Sequence, residues 1–437
     1  MNHTGAEKPS RTHHSPAFPR GSQQPEPPGR ARARGPRRRR AVTWRGAASV
    51  DPDVPAAVGS VLADVLRDRT ASACALDGVF GRDVAERIAR FTLDGGKRMR
   101  SQFLWWALRA CRGGQDHDQV HRALRIAAAL ELIQTGALVH DDLMDASRLR
   151  RGRPTLHTDI SNQYAAAHRP GASEPLGSAA ALLGGDLALA WADDTIAHLQ
   201  LPPETGRRVR DIWTAMRTEM AAGQYLDLHA QATGSMSLSE AIRIAYLKSG
   251  LYSVERPLAL GAALAGADEA TTRALRAAGR SAGIAFQLRD DLHGVFGDPG
   301  QTGKPSGDDI REGKLTPLVA VARARAVATG DEASLAVLEG CVGARDLTPA
   351  DLAAVRHVLV ITGARSAVET KIARLVTQSM HHLTSANVEP SARRRLHALV
   401  CAAAGTPTTT GSSTPWPTEE AGPPPPSSGG TADVDRW

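Results

Sequence analysis

Long proline-free segments, in which apolar residues recur at three- and four-residue spacing, run through the middle of the chain. This spacing lines one face of an α-helix, whereas a strand would show a period of two. No strong alternating pattern and no fixed-period repeat competes with it. The clearest segments are residues 126–145, 209–232, 273–292 and 353–383. The pattern predicts one all-α domain of roughly ten or more helices.

The two ends of the chain differ in composition from the middle. Residues 1–45 hold eleven Lys or Arg and two acids, a net charge of +9, which leaves −2 for the rest of a chain whose total is +7. Such a segment buries too little apolar surface to offset the entropy of ordering. We predict a disordered tail over 1–48, a folded domain over 49–403 and a second disordered tail, rich in Pro, Thr, Ser and Gly, over 404–437.

The arginine run RARARGPRRRR of the first tail permits two interpretations. It could be an arm for nucleic acid or an anionic membrane, or a solvated extension that reflects the choice of start codon. The second is simpler, so we expect no specific nucleic-acid partner. No apolar segment follows these charges as a secretory signal would require. No stretch reaches the ~18 continuous apolar residues of a membrane helix, so no transmembrane segment is expected.

The four cysteines are widely spaced and form no CxxC pair. That spacing suggests neither a disulfide framework nor a zinc site. It fits a reducing compartment, and the expected location is the cytoplasm.

The segment LVHDDLMDASRLRRGRPTLH, residues 138–157, combines an acidic cluster with a run of arginines. Asp141 and Asp145 are four residues apart and share one face of a helix, whereas Asp142 points about 100° away. Carboxylates one turn apart repel each other, and Mg²⁺ prefers one or two carboxylates together with phosphate oxygens. The segment is therefore either a solvated, salt-bridged helix end or a site where metal ions and a polyanionic substrate meet.

A second acidic pair, Asp290 and Asp291, ends another apolar helix in FQLRDDLHGVFGD, residues 286–298. Gln287 lies three residues before Asp290, on the same helical face. Two helices with acids at a similar end can face each other across a cavity and hold several Mg²⁺ ions. The second pair therefore favours the metal-site interpretation of both clusters.

Basic residues accompany both clusters. Lys97 and Arg100 follow a Gly-Gly turn and are three residues apart, so they share a helical face. Lys248 stands on an apolar helix, and Lys304 and Lys314 fall in a Gly- and Pro-rich loop directly after the second acidic pair. Any one of these is most simply a solvated side chain. Together, next to two acidic clusters, they suggest a diphosphate site.

With these residues in place, the chain resembles the trans-type polyprenyl diphosphate synthases, and most closely the bacterial geranylgeranyl diphosphate synthases, over about residues 55–400. The motifs that carry the resemblance are GGKRMR, HDDLMD with RRGRPT, GGD, GQYLDL, KSG and FQLRDDLHGVFGDPGQTGKPSGDDIREGK. The resemblance implies a single large helical bundle of the isoprenoid synthase type, with its active-site cavity between central helices. It further implies a homodimer that condenses isopentenyl diphosphate head-to-tail with allylic diphosphates: dimethylallyl, geranyl or farnesyl.

The resemblance also implies two diphosphate subsites and a metal site. The residues that would bind the diphosphate of isopentenyl diphosphate are Lys97, Arg100 and Gln134. Those that would bind about two or three Mg²⁺ ions are Asp141, Asp145 and Asp290.

The allylic diphosphate, by the same resemblance, would be held by the Mg²⁺ ions and by a set of polar side chains. These substrate-binding residues are Arg150, Arg151, Lys248, Ser249, Gln287, Lys304 and Lys314. Within this set, Lys248, Gln287 and Lys304 would be catalytic, because they stabilise the charge on the departing group. His140 adjoins Asp141, and we interpret it as a packing residue.

The second acidic cluster departs from the family pattern, which is often a full DDxxD. Gly294 stands where the third aspartate would be, and Asp298 is a weak substitute. Shorter forms occur in the family, so we do not interpret the departure as inactivation.

Product length in this family depends on a tunnel below the first acidic motif. Its upper floor would be formed here by Gly136 and Ala137, with Ile133, Leu132 and Leu130 deeper. Small residues leave room for chain growth, which predicts a C20 product, geranylgeranyl diphosphate. A farnesyl or longer-chain product stays open, as does the alternative that these residues are small only for helix packing.

Other classes remain as alternatives. A class I terpene cyclase shares the all-α architecture but needs no isopentenyl diphosphate site, and GGKRMR and the second RDD cluster count against it. A non-catalytic partner subunit would usually lose the acids, which are present in this chain.

Overall fold

The computed structural model describes residues 44, 46–166, 171–298 and 306–407. Most of each predicted tail, together with Lys304, lies outside these described residues. The first described element is a 3₁₀ turn at Ala47–Ser49, and the last helix ends at Ala404.

Within the described residues the chain forms seventeen α-helices, a short hairpin and two π-helical segments, so the predicted all-α fold class is confirmed. The helices are α1 (Val54–Leu76), α2 (Gly78–Phe80), α3 (Glu86–Leu93), α4 (Met99–Ala110), α5 (His117–Met144), α6 (Leu156–Gln163), α7 (Ser173–Ala197), α8 (Pro203–Thr233), α9 (Leu238–Ala245), α10 (Arg256–Ala265), α11 (Glu269–Phe296), α12 (Asp308–Arg311), α13 (Pro317–Thr329), α14 (Glu332–Cys341), α15 (Pro349–Ile361), α16 (Ala364–Ser385) and α17 (Pro390–Ala404). The π-helical segments are Gly81–Ala85 and Tyr246–Glu255. The antiparallel strands β1 (Leu149–Arg150) and β2 (Arg153–Pro154) form the hairpin.

Helix α5 forms the centre of the larger hydrophobic core. It begins where the Oδ1 atom of Asp116 accepts a hydrogen bond from the Gln119 amide at 2.7 Å, a typical N-cap. Its middle is mostly apolar, and Leu130, Leu132 and Ile133 are fully buried. The helix packs mainly against α7, and also against α4. This packing fixes its carboxyl end, which carries the first acidic cluster.

Helix α11 is the second long central helix. Asp268 caps its start by accepting from the Thr271 amide at 2.7 Å, and its far half joins a smaller core with α13, α15 and α16. The helix therefore brings the second acidic pair, near its carboxyl end, to the boundary between the two cores.

The π-helical segment Tyr246–Glu255 is held between α8 and α11 by close backbone contacts. A Cβ atom on Gly223 of α8 would overlap the backbone of Lys248, and one on Gly283 of α11 would overlap the carbonyl of Gly250. Only glycine permits this approach. Segments of π-helix are uncommon and often occur at functional sites, and this one carries the KSG motif.

Two helices are long and apolar enough to cross a membrane by length and composition, namely α5 and α7. In α5, 72% of the apolar window is buried inside the fold, as expected of a core helix, whereas in α7 the share is 44%. Helix α7 therefore leaves more of its apolar window exposed than α5 does.

Candidate active site

A cavity of about 570 Å³ lies between α5, α7, α8, α9, the π-helical segment, α11 and the residues that begin α13. Its size is typical of small-molecule sites. Carboxylates and lysines line the cavity near the carboxyl ends of α5 and α11. Gln134 and Met220 line its wall about two helical turns away from these charges, since each lies seven residues before a cavity aspartate, Asp141 and Asp227 respectively.

The first acidic cluster is neutralised by cations from other segments. The Nη2 atom of Arg150 lies 3.2 Å from Oδ2 of Asp141, and the Nζ atom of Lys248 lies 3.2 Å from its Oδ1. Asp142 is buried and accepts from Nε of Arg150 at 2.7 Å. Burial opposes the charged form of Arg150, but the attraction of Asp142 and Asp141 is stronger and raises its pKa. Arg150 therefore stays protonated in a buried position.

Lys248 also pairs with Asp227, an aspartate of the GQYLDL motif to which sequence reasoning gave no role. Its Nζ atom lies 2.6 Å from Oδ2 of Asp227, whose side chain is 5% exposed. Burial disfavours the ammonium, yet the attraction of Asp141 and Asp227 raises the pKa of Lys248. The ammonium of Lys248 therefore bridges Asp141 of α5 and Asp227 of α8.

Asp145, one turn beyond Asp141, is paired with Lys314. The Nζ atom of Lys314 lies 2.7 Å from Oδ2 of Asp145, 2.7 Å from Glu312 and 3.6 Å from Asp309. Burial and the charge of Asp141 raise the pKa of Asp145, while Lys314 opposes the shift. Burial also disfavours the charged Lys314, but the surrounding carboxylates raise its pKa well above the ordinary value.

In the second acidic cluster, Asp291 accepts a hydrogen bond from a neutral partner. The Nε2 atom of Gln287 donates to Oδ1 of Asp291 at 2.8 Å. Burial, followed by the charge of Asp309, raises the pKa of Asp291 well above its ordinary value. Gln287, Asp290 and Asp291 all line the cavity, as does Ser249 of the π-helical segment.

Arg100 is held in the cavity wall by two residues that sequence reasoning missed. Its Nη2 atom donates to Oγ of Ser253 at 2.8 Å, and its guanidinium lies 4.1 Å from the ring centroid of Tyr252. Gln134 lines the cavity nearby, and its Oε1 atom has no hydrogen-bond partner among the described residues, nor does the hydroxyl of Tyr252. Ser253 and Tyr252 follow KSG in sequence, which is the only local signal for them.

Lys97 and Arg151 lie apart from the acids. Arg151 and Gly152 form the hairpin turn with φ of 54° and 72°, the positive values that a tight two-residue turn requires. This turn directs Arg151 to the Asp94 carbonyl, 3.3 Å from its Nη1 atom, and to the Phe91 ring at 5.2 Å. Lys97 is exposed, and neither it nor Arg151 lines the cavity.

The two small residues before the first cluster face different neighbours. Ala137 lines the cavity. Gly136 packs against α7, where a Cβ atom would lie 2.8 Å from Cγ of Leu189 and 3.0 Å from the Gly185 carbonyl. His140 also packs on α7: its Nε2 atom is 3.1 Å from the Leu182 carbonyl. The structure thus brings Ala137, but not Gly136, to the cavity surface.

The acids fit a metal that arrives with a phosphate ligand. Among the described residues, no group of three or more His, Cys, Asp or Glu is arranged to hold an ion by itself. Mg²⁺ is usually bound by one or two carboxylates together with substrate phosphates and water. Asp141 and Asp290 line the cavity from opposite helices, and with Asp145 they could hold Mg²⁺ there.

The all-α fold thus places two acidic clusters and several cations around one partly apolar cavity. The chain belongs to the polyprenyl synthetase family, whose model matches residues 82–357. The family predicted from the sequence is confirmed.

The names of similar proteins indicate products of different chain length. The chain is 33% identical over 228 residues to geranylfarnesyl diphosphate synthase of Aeropyrum pernix, which covers 52% of this chain and 65% of that protein. It is 32% identical over 285 residues to (2E,6E)-farnesyl diphosphate synthase of Mycobacterium bovis, covering 65% and 72%. The structure of geranylgeranyl pyrophosphate synthase from Corynebacterium glutamicum, complexed with isoprenyl diphosphate and magnesium, superposes with a TM-score of 0.73 at 36% identity, covering 79% of this chain and 98% of that one.

Proposed function

We propose that the protein is a Mg²⁺-dependent prenyltransferase that condenses isopentenyl diphosphate head-to-tail with allylic diphosphates. The position of Lys248, between Asp141 and Asp227 at the wall of the cavity, carries the proposal. The cations and carboxylates at this wall neutralise each other. They can exchange partners when a Mg²⁺-diphosphate enters, because that ligand carries both signs of charge. The lysine would then contact the diphosphate, and Asp141 would contact the metal.

The reaction begins when the bond between the allylic carbon and the diphosphate oxygen breaks. Lys248 and Lys314 would stabilise the negative charge that develops on the departing diphosphate, which is commonly the largest catalytic term. Bound Mg²⁺ supplies Lewis-acid stabilisation of the same charge. Gln287 and Ser249 present amide and hydroxyl dipoles to the allylic cation. The same role for Lys304 stays a prediction, since it lies outside the described residues.

The second step joins the two substrates. The double bond of isopentenyl diphosphate supplies the electron pair of the new carbon–carbon bond, and a proton then passes from the adjacent carbon to a diphosphate oxygen. Arg100, fixed by Ser253 and Tyr252, and Gln134 would hold the diphosphate of this substrate, with Lys97 reaching it from the exposed turn. No side-chain base is required for either step.

We also propose a number of ions for the two clusters. Asp141 and Asp145 on α5 and Asp290 on α11 would hold about two or three Mg²⁺ ions together with the allylic diphosphate. Arg150 stays bound to Asp142 and would orient the Asp141 carboxylate toward the metal. Arg151 lies by the Gly-Gly turn, so we now assign it to the isopentenyl diphosphate side.

For the product we propose geranylgeranyl diphosphate. The small side chain of Ala137 in the cavity wall supports it, as does the named neighbour from Corynebacterium glutamicum. The test is Ala137→Phe, which should shorten the main product because the ring fills the tunnel, with Ala137→Ser as a size-matched control that keeps C20. An unchanged product length in Ala137→Phe would remove this residue from the chain-length determinants.

For the oligomer we propose a homodimer that buries the outer face of α7. Leu176 and Leu183 lie on that face with Leu182 beside them, and they are 45%, 58% and 50% exposed. Three exposed leucines on one helix mark an interaction surface. Leu183→Glu should yield monomers in light scattering, and dimers that persist would contradict this surface.

We further propose a cytoplasmic location. All four cysteines are unpaired, as expected in a reducing compartment. We propose no nucleic-acid partner for the arginine-rich segment.

The experiment that tests the activity is a product assay with isopentenyl diphosphate, each allylic starter and Mg²⁺, read by mass spectrometry. The expected result is geranylgeranyl diphosphate from all three starters, with no turnover in EDTA. A hydrocarbon formed from geranylgeranyl diphosphate alone would indicate a terpene cyclase. No product without an added second protein would indicate a partner subunit.

A further inference from the structure

The carboxyl end of the π-helical segment Tyr246–Glu255 is fixed by a buried network of charges. Glu255, its last residue, is fully buried. Its Oε1 atom accepts from Nε of Arg276 on α11 at 2.7 Å and lies 3.6 Å from Nη1 of Arg280, one turn further along that helix. A Cβ atom on Gly279 would lie 2.6 Å from Cα of Glu255. A buried carboxylate is costly unless it is paired, so these contacts determine where the end of the segment can lie.

The next residue, Arg256, anchors the same end to α8. Its guanidinium donates to both carboxylate oxygens of Glu219, from Nε to Oε2 at 2.8 Å and from Nη2 to Oε1. Burial opposes the charged form of Arg256, but the hydrogen bonds to Glu219 and the charge of Glu255 raise its pKa. Two consecutive side chains therefore bind two different helices, Glu255 to α11 and Arg256 to α8.

These two residues lie where the wide helical turn ends. The Arg256 amide donates to the Leu251 carbonyl, five residues earlier, as a π-helix requires. The following residue is Pro257, which has no N–H group and cannot donate to the Ser253 carbonyl as an α-helical turn would require. The charge network therefore holds the segment at the point where it changes from π-helix to α-helix.

The register of this segment sets the position of side chains around the cavity. Tyr252 and Ser253, which contact Arg100, lie three and two residues before Glu255. Lys248 lies seven residues before Glu255, where the segment has its own close backbone contacts with α8 and α11. A loosened carboxyl end should therefore disturb Arg100 more than Lys248.

We propose that Glu255 is a positioning residue for the binding of isopentenyl diphosphate. Through its ion pair with Arg276 it holds the π-helical segment in the register in which Arg100 can bind this substrate. Glu255 is not among the residues that line the cavity, so it acts through the segment and not by contact with a substrate. The inference rests on the proposed function for the role of Arg100.

The kinetic test compares the two substrates in the full-length protein with Mg²⁺. Glu255→Gln should raise KM for isopentenyl diphosphate by about tenfold, and KM for farnesyl diphosphate by less. Arg276 is 40% exposed, so Arg276→Met should fold, and it should shift both constants in the same direction. Arg276→Lys keeps a cation and should lie closer to the wild type. A variant that is only less stable would instead lose kcat, with both KM values unchanged.

The control for stability is Asp331→Ala. Asp331 caps α14 by accepting from the Ser334 amide at 3.0 Å, and loss of a cap destabilises a helix. The variant removes a carboxylate far from the π-helical segment in sequence, on a helix that does not line the cavity. It should lower the melting temperature and leave both KM values as in the wild type.

Amide hydrogen exchange of residues 246–256, followed by mass spectrometry, tests the same positioning without turnover. Exchange in this segment should be about tenfold faster in Glu255→Gln, while α5 keeps the wild-type rate. Unchanged exchange overturns the proposal, as does a Glu255→Gln enzyme with wild-type KM for isopentenyl diphosphate. A wild type that makes no prenyl product refutes the proposed function, and the exchange rates alone then decide whether Glu255 positions the segment.

Discussion

The two acidic clusters face one cavity but are compensated in different ways. In the first cluster, carboxylates of α5 are matched by cations from three other segments: Arg150, Lys248 and Lys314. In the second, the hydrogen-bond donor to Asp291 is the neutral amide of Gln287. Asp309 adds a further negative charge. Asp141, Asp142 and Asp145 are thus paired with cations, whereas Asp291 accepts from a neutral amide and has more to gain from a bound cation.

This difference suggests separate tasks. The first cluster can hold its geometry before the substrate arrives, because its carboxylates are already paired with cations. Of these cations, Lys248 and Lys314 would later serve the diphosphate. In the second cluster, Asp291 accepts its hydrogen bond from the neutral amide of Gln287, so the stability of this cluster should respond most to metal concentration. We therefore expect the first cluster to be preorganised and the second to depend on metal, and substitutions in each cluster can test this difference.

The largest effect is expected from Lys248→Met, which removes the cation shared by Asp141 and Asp227. Loss of one donor to a developing negative charge lowers kcat by about 10²–10³. The side chain also leaves Asp227 buried without its ion-pair partner. Steady-state kinetics with farnesyl diphosphate and isopentenyl diphosphate provide the measurement.

The control for this variant is Lys371→Met, on α16 outside the cavity, which should retain wild-type kcat. A Lys248→Met enzyme within a few-fold of the wild type would contradict the role given to this cation. It would also remove the main argument for a preorganised first cluster.

The next effect in size concerns stability and comes from Asp142→Asn. Asp142 is 2% exposed and accepts from Nε of Arg150, so the substitution weakens a charge-assisted hydrogen bond worth about 1.5–3 kcal/mol. Arg150 keeps Asp141 as a partner, which limits the loss. Urea unfolding without Mg²⁺ measures it. A free energy of unfolding equal to that of the wild type would show that the first cluster is not stabilised by its own ion pairs.

Local patterns predicted the helices and the acids, but not the ion pairs. The helical periodicity gave α5 and α11, and the spacing of Asp141 and Asp145 placed both near one helix end. The pairing of Asp145 with Lys314 spans 169 positions, and nothing local in the sequence specifies it. The prediction that Gly136 lines the tunnel fails to find support for a similar reason. Helical periodicity shows which residues share a face, but not which neighbouring helix that face contacts.

Two further features had only weak local signals. Asp227 is one buried aspartate on a long helix, and only the GQYLDL motif that contains it could have indicated a role. The π-helical segment Tyr246–Glu255 shifts the register of every later side chain, so a period of 3.6 misplaces Tyr252 and Ser253. Asp309 lies beside Gly294, where a Cβ atom would be 2.6 Å from its Oδ2 atom. The two residues are fifteen positions apart, and spacing along the chain does not reveal this contact.

The smallest effect, and opposite in sign to that of Asp142→Asn, is expected from Asp291→Asn. Burial and Asp309 hold the pKa of Asp291 above its ordinary value, so the folded protein without metal binds a proton more tightly than the unfolded chain. Stability contributed by this group therefore falls as pH rises from the unfolded pKa, about 3.9, through the folded pKa. The asparagine keeps a carbonyl oxygen for Gln287 and carries no charge.

Urea unfolding at several pH values in EDTA tests this expectation. At neutral pH, Asp291→Asn should be as stable as the wild type or more so, and its stability should fall less as pH rises through this range. The gain should disappear when Mg²⁺ and methylenediphosphonate are present, because the bound cation then compensates the wild-type carboxylate. A loss of stability in Asp291→Asn similar to that in Asp142→Asn would mean that both clusters are compensated alike, and the distinction between them would fail.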